Sequence, residues 1–259
     1  MLAQQRQEAI LDRVRTAGGV RVTELAGEFG VSDMTIRRDL EALAERGLLA
    51  KVHGGATTAR PGSTDEPGFA VKSVRQRAEK AAIAAEAARL VTPGMAVALS
   101  AGTTTAELAR RLAGVPALTV VTNSIPVAEI LHRSGRPDQT VVLTGGIRTP
   151  SDALVGPVAV ATIRSLHLDL VFLGVHGMSE RAGFTTPNLL EAETNRALLA
   201  AADRLVVLAD STKWATVGIS SFAGLAEAHT VVSDTGLPEP AREILRAHVP
   251  DLLFCEVTP

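Results

Sequence analysis

Apolar positions recur at helical spacing through the first part of the chain and gather into short unbroken runs through the rest, which divides the sequence in two. Ile10, Leu11 and Val14 share one helical face, and Gly18-Gly19 interrupts the pattern. Val22, Leu25, Ala26 and Phe29 form a second face that ends at Gly30. Ser32 is placed to cap a third helix, in which Ile36, Leu40 and Leu43 face inward until Gly47 stops it. LLAKVHGGA then reads as a short hairpin closed at Gly54-Gly55. Two helices joined by a short Gly-containing turn predict a helix-turn-helix, and the hairpin makes it a winged one.

The stretch ARPGSTDEPG, residues 59–68, has the Pro, Gly, Ser and charge of a linker and no apolar period. Beyond it the spacing predicts helices over Ala78–Leu90 and Thr105–Leu112. Strand-like runs lie at Met95–Leu99, Leu118–Val121, Thr140–Leu143, Asp169–Gly174, Leu205–Ala209, Thr230–Val232 and Leu252–Cys255. Unbroken runs separated by helices predict a mostly parallel sheet covered on both faces, an α/β domain. The expected organisation is a winged helix-turn-helix over residues 1–58, a linker over 59–70 and the α/β domain over 71–259.

Composition changes this picture mainly by exclusion. With 46% hydrophobic and 21% charged residues the chain can bury a sizeable core, so disorder is not expected. No run approaches the ~18–20 apolar residues of a membrane span. MLAQQRQEAI lacks the apolar segment of a signal peptide, so the expected location is the cytoplasm, with no membrane partner. A single cysteine, Cys255, and six scattered His offer no metal-ligand spacing, so neither metal nor cofactor is expected. Aromatics at 3% disfavour a stacking platform for single-stranded nucleic acid. The net charge of -2 points to no polyanionic partner, and residues 1–59 balance 8 Lys+Arg against 8 Asp+Glu, so arrangement must carry any argument about DNA.

That arrangement lies in VSDMTIRRDLEAL, residues 31–43. With Ile36, Leu40 and Leu43 inward, Met34, Thr35, Arg37 and Arg38 fall on the opposite face. Thr and Arg there suit phosphates and base edges in the major groove, with Lys51 and His53 of the hairpin near the adjoining backbone. A solvated face, with Arg37 four residues before Glu41, accounts for the same pattern. In the α/β part, VALSAGTTT runs from a strand into a helix start. Gly102 permits close approach, and Thr103, Thr104 and Thr105 with free amides make a phosphate cradle or an ordinary Thr-capped helix. Asn123 and Ser124, then Gly145, Gly146 and Arg148, follow other strands, where ligands of open α/β sheets bind, although turns explain them too. Lys213 also follows a strand, and His176 stands at a strand end as a ligand contact or a packed loop residue.

The run VSDMTIRRDLEALAERGLLAKVHGGA, with RQEAILDRV and VTELAGEFGV upstream, closely resembles the N-terminal signature of the DeoR family of bacterial transcription regulators. SAGTTTAELA, VVTNSIPVA, LTGGIRTPSDALVGPVA, DLVFLGVHGMS and EAETNRALLAAADRLVVLADSTKW extend the resemblance through the α/β part. It implies a third helix that reads an operator through Thr35, Arg37 and Arg38, with Ser32, Met34 and Lys51 as further contacts, while Asp39 and Glu41 orient the arginines. It also implies a fold like sugar-phosphate isomerases and a phosphorylated sugar or polyol effector. Gly102, Thr103 and Thr104 then map to the phosphate, and Asn123, Gly145, Gly146, Arg148, Glu191 and Lys213 to the rest of the pocket.

Ser100 stands where many family members carry an acid, and Val175-His-Gly177 replaces an Ala-Asp-Gly run. Both change the pocket chemistry. The leading expectation is a non-enzymatic regulator, a repressor of a carbohydrate operon, bound to double-stranded DNA as a homo-oligomer, dimer or tetramer. The alternative is a sugar-phosphate isomerase or deaminase with an appended helical domain. Such an enzyme needs a positioned base, and Glu191 is the obvious nearby carboxylate.

Overall fold

The three apolar faces of the N-terminal segment close on one another. The computed structural model describes residues 3–257 other than 18, 47, 53, 59–62, 65 and 67, and its chain contacts separate Met1–Gly62 from Ser63–Pro259. In the first unit α1 (Ala3–Ala17) leads into β1 (Gly19–Arg21), α2 (Val22–Phe29), α3 (Asp33–Glu45) and the wing strands β2 (Leu49–Val52) and β3 (Gly55–Thr58). Ile10 and Val14, Val22 and Leu25, and Ile36, Leu40 and Leu43 form one buried cluster with Leu49 and Ala56. Ser32 caps α3, its hydroxyl accepting from the Thr35 amide at 3.2 Å.

The wing has three antiparallel strands in the order β1-β3-β2, where the sequence pattern anticipates two. β1 is three residues long, too short to show a period. Its pairing explains Gly55, where a Cβ would lie 2.1 Å from the Val20 carbonyl oxygen.

In the second unit α4 (Phe69–Ser73), α5 (Arg77–Ala88), β4 (Ala96–Leu99), α6 (Thr103–Leu112), β5 (Thr119–Thr122), α7 (Ile125–Arg133) and β6 (Thr140–Leu143) are followed by a small hairpin, β7 (Ile147–Arg148) and β8 (Leu154–Val155). Then come α8 (Pro157–Ile163), β9 (Leu168–Gly174), β10 (Gly177–Ser179), β11 (Gly183–Thr186), α9 (Leu189–Ala200), β12 (Ala202–Leu208), β13 (Ser220–Ala223), β14 (Thr230–Asp234), α10 (Glu239–His248) and β15 (Asp251–Cys255).

The seven apolar runs become one seven-stranded sheet in the order β15-β14-β12-β9-β4-β5-β6, parallel at every pairing. Both faces are covered, which is why the runs do not alternate. Leu170 and Phe172 of β9 and Val206 and Leu208 of β12 pack with α5, α6 and α7. Their neighbours Val171, Leu173, Leu205 and Val207 pack with α8, α9 and α10. The small antiparallel sheet β10-β11-β13, which the periodicity does not reveal, adds Met178, Phe184 and Phe222 to that second core.

The strand order sets where a ligand can sit. From β4 the chain moves outward through β5 and β6, then returns to place β9 on the other side of β4, and continues through β12, β14 and β15. The loops leaving β4 and β9 therefore diverge to opposite sides, opening a crevice at the carboxyl ends of these two strands.

Candidate functional site

Two of the four acids of α3, Asp39 and Glu41, are engaged by other parts of the fold, while Asp33 and Glu45 are exposed. Arg37 and Arg38 are exposed, Met34 is 62% exposed, and neither arginine makes an ion pair among the described residues. Asp39 is buried and accepts from Arg6 Nε at 2.6 Å and Gln7 Nε2 at 3.1 Å, joining α3 to α1. Glu41 accepts from Lys51 Nζ at 2.8 Å, joining α3 to the wing, and this bond holds the Glu41 carboxyl below its usual range. Asp39 and Glu41 thus do not orient Arg37 and Arg38. The reason is reach: α1 and the wing bring cations to them across the fold, which a reading along one helix does not include.

In the second unit a cleft of about 60 Å³, partly open to solvent, lies at the crevice between β4 and β9. Ala101 follows β4, and Gly174, Val175 and His176 end and follow β9; Lys213 comes after β12, and Thr186, Pro187 and Glu191 come from β11 and the start of α9. Glu66, Lys72 and Ser151 complete the lining. Lys72 Nζ donates to Ser151 Oγ at 2.8 Å, Ser151 Oγ donates to Glu66 at 2.8 Å, and Thr186 Oγ1 donates to Glu191 at 2.9 Å. Burial pushes the Glu191 carboxyl up, opposed by Lys72 and the Thr186 hydroxyl. Burial pushes the Lys72 ammonium down, opposed by Glu191 and Glu66. Beneath them Lys80 donates to the Lys72 and Arg75 carbonyls at 2.6 and 2.5 Å, and burial lowers it to about 8 despite Asp210. A cleft with ammonium groups, carboxylates and hydroxyls suits a small ligand that is both anionic and rich in hydroxyls.

Two family models cover nearly the whole chain. Residues 6–61 match a DeoR-like helix-turn-helix domain, and residues 75–235 match the DeoR C terminal sensor domain. The chain belongs to the DeoR family of transcriptional regulators. It is 36% identical over 95% of both chains to the uncharacterized HTH-type transcriptional regulator YgbI of Escherichia coli. It is 35% identical to the HTH-type transcriptional regulator GlpR of Haloferax volcanii, over 94% of each, and 33% identical to the transcriptional repressor AccR of Agrobacterium fabrum, over 90% of each. A solved ribose 5-phosphate isomerase A from Neisseria gonorrhoeae aligns over 56% of each chain at 14% identity and a TM-score of 0.40, a likeness that says nothing about activity.

Within this DeoR-family chain the sequence-derived residues separate into groups. On the first unit Met34, Thr35, Arg37 and Arg38 share the open face of α3. Ser32 is exposed at its cap, hydrogen-bonded to Thr35, and Lys51 is tied to Glu41. His53 lies outside the described residues. On the second unit His176, Glu191 and Lys213 line the cleft, at whose edge Ala101 leads into Gly102 and the α6 N-terminus. Thr103 and Thr104 make no hydrogen bond through their hydroxyls among the described residues, whereas Thr105 is buried and donates to the Gly102 carbonyl at 3.0 Å.

Others among the expected residues are engaged inside the fold. Ser100 is buried and accepts from the Gly174 amide at 3.1 Å, tying β4 to β9. Asn123 accepts from the Ala101 amide at 2.9 Å and donates to the Leu154 carbonyl at 3.1 Å, which fixes the loop into α6. Ser124 caps α7, accepting from the Val127 amide at 3.3 Å. Gly145 and Gly146 turn the chain with positive φ, and a Cβ at Gly146 would lie 2.6 Å from the Val155 carbonyl oxygen. Arg148 is exposed and paired with Asp152 at 2.6 Å.

Sequence reasoning missed Glu66, Lys72, Ser151 and Thr186. Glu66 falls within the segment expected to be a linker, yet both Glu66 and Ser63 bond inside the second unit. One signal was present: the whole chain has four Lys, and Lys72, Lys80 and Lys213 gather around one cleft.

Proposed function

We propose that this DeoR-family regulator is a repressor that grips operator DNA with α3 and the wing and is controlled by a phosphorylated sugar or polyol bound in the β4–β9 cleft. The observation that carries the reading is a cleft at one strand crossover, lined by Lys72, Lys213, Glu66 and Glu191 and by Ala101, the residue that leads into the N-terminus of α6. The first amides of α6 lack intrahelical partners, and its dipole favours an anion, so the phosphate is assigned to Gly102, Thr103 and Thr104. Hydroxyls of the ligand then face carboxylates and ammonium groups that accept and donate. On α3, Arg37 and Arg38 supply guanidinium groups for guanine edges or phosphates, and Thr35 a short hydroxyl contact. One winged helix buries little surface on DNA, so a symmetric homo-oligomer on repeated half-sites follows, acting in the cytoplasm where operator DNA lies.

Control requires that the ligand prefer a state that holds DNA less well. The test is a thermal-shift screen of the protein against phosphorylated sugars and polyols, with turnover followed on every hit. The expected outcome is a raised Tm without conversion of the ligand, and promoter DNA released at the same ligand concentrations. Thr103→Val and Thr104→Val should weaken that response and leave DNA affinity without ligand unchanged. Conversion of a hit to an isomer or deaminated product would instead make the protein an enzyme.

A further inference from the structure

The chain leaves the first unit at Gly62, and the segment that follows is fastened to the rim of the cleft. Ser63 contributes its carbonyl, which accepts from the Ile219 amide at 2.7 Å. Glu66 is held on both carboxylate oxygens, by Ser151 Oγ at 2.8 Å and by Asn188 Nδ2 at 3.0 Å. The same Ser151 hydroxyl accepts from Lys72 Nζ at 2.8 Å. A directed chain therefore runs from ammonium through hydroxyl to carboxylate, and each bond polarises the next.

The backbones of the first two members of this chain are each held in place. Ser151 sits on the turn between β7 and β8, where Thr149 Oγ1 accepts from the Ser151 and Ala153 amides at 3.2 and 3.3 Å. The Lys72 carbonyl accepts from Lys80 Nζ at 2.6 Å, which holds the Lys72 backbone while its ammonium exchanges one acceptor for another. Its present acceptor is a neutral hydroxyl. An anionic ligand in the cleft adds to such a bond the Coulomb attraction of an opposite charge at close range, which the hydroxyl lacks, and so competes with Ser151 for the ammonium.

We propose that Lys72, Ser151 and Glu66 form a latch that an anionic effector opens by recruiting Lys72, so that occupancy of the cleft loosens the segment through which the helix-turn-helix domain is attached. This rests on the reading of the cleft as an anion site. Coupling is reciprocal, which fixes a sign that a purely structural role would not give. If binding must open the latch, a protein whose latch is already broken binds the anion more tightly.

The test uses the full chain, with inorganic phosphate and ribose 5-phosphate as probes. Hydrogen exchange is read over Ser63–Lys72, and binding by Tm shift. In Ser151→Ala and Glu66→Gln, exchange over that segment should run several-fold faster without ligand and change no further with it; in the original protein a bound probe should produce the same acceleration. Tm shifts should be larger in Ser151→Ala, which leaves the cleft's charges unchanged, and smaller in Lys72→Met. Exchange over Ser63–Lys72 identical in the original protein and both variants would overturn the latch. If neither probe shifts any Tm, the reading of the cleft fails instead, and the ligand-free exchange of the two variants still decides whether the latch exists.

Discussion

The two units build their sites in opposite ways. On the first, the candidate DNA contacts Met34, Thr35, Arg37 and Arg38 lie on the open side of α3, while the residues that hold the unit together lie on the other side. Among the described residues, its buried polar side chains are Arg6 and Asp39, which bond each other. In the second unit Ser100 after β4, Asn123 and Ser124 after β5 and Thr105 in the first turn of α6 are buried, and each satisfies a backbone group of the fold. Recognition and stability are therefore carried by opposite faces of one helix in the first unit, whereas in the second the residues lining the cleft stand on loops that buried polar neighbours brace. The difference follows from the ligands: duplex DNA is met by a surface, whereas a small anion must be enclosed by loops whose own polar groups have to be satisfied.

The largest effect expected is on the stability side of the first unit. Asp39→Ala leaves the Arg6 guanidinium, 10% exposed, without its partner at 2.6 Å. Breaking a buried pair from one side costs about 3–5 kcal/mol, and a unit of about sixty residues has little stability in reserve. Calorimetry of the whole chain should show the transition of the first unit lost or sharply lowered, with that of the sensor unit in place and DNA binding abolished. A fall in DNA binding with both transitions unmoved would mean that Asp39 acts at the DNA surface, and the separation would fail.

Next come Arg37→Ala and Arg38→Ala, which should cost about 1–3 kcal/mol of operator binding where the contact is a bidentate base pairing. A phosphate contact would instead flatten the salt dependence of log K by about one charge. Both arginines are exposed, so neither transition temperature should move. Asn123→Ala makes the contrasting case in the sensor unit. It leaves the buried Ala101 amide and Leu154 carbonyl without partners, at about 1–3 kcal/mol for a buried polar group left unmade. Denaturant unfolding and effector titration should lose together, because the loop that Asn123 braces is the one that enters α6. Stability lost with effector affinity intact would show that the loop into α6 does not depend on Asn123 for its binding geometry.

The same contrast explains what could be read from the chain. All seven strands of the parallel sheet were legible because each spells a mostly apolar run, the five inner ones being largely buried between the helical layers and the edge strands β6 and β15 partly so. The α3 face was legible because its apolar stripe of Ile36, Leu40 and Leu43 defines the opposite side. β1, the β7–β8 hairpin and the β10-β11-β13 sheet were not, since strands of two to four residues carry no period and depend on partners distant in sequence. The cleft was half legible. Loops after strands could be named, but Lys72 meets Ser151, and Glu66 meets Ser151 and Asn188, across 79, 85 and 122 positions, beyond the reach of local pattern. Asp39 and Glu41 were misassigned for the same reason, their cations coming from α1 and the wing.

The last contrast lies in the pH dependence of the sensor unit, and it tests whether the network beneath the cleft carries charge. Burial lowers the Lys80 ammonium from 10.5 to about 8, with Asp210 opposing. Below pH 8 Lys80 is protonated both folded and unfolded, and the fold bears the desolvation of the charge. Between about 8 and 10.5 the unfolded chain holds a proton that the folded one has released. Stability therefore rises with pH across that window from this group, the derivative being set by the extra proton on the unfolded state. Lys80→Met removes the rise and also leaves the Lys72 and Arg75 carbonyls without their donor. Urea unfolding from pH 7 to 10.5 should show the variant less stable throughout, with the gap to the original protein widening as pH increases. A constant gap would show that Lys80 titrates as an ordinary lysine and serves only as a hydrogen-bond donor to α4.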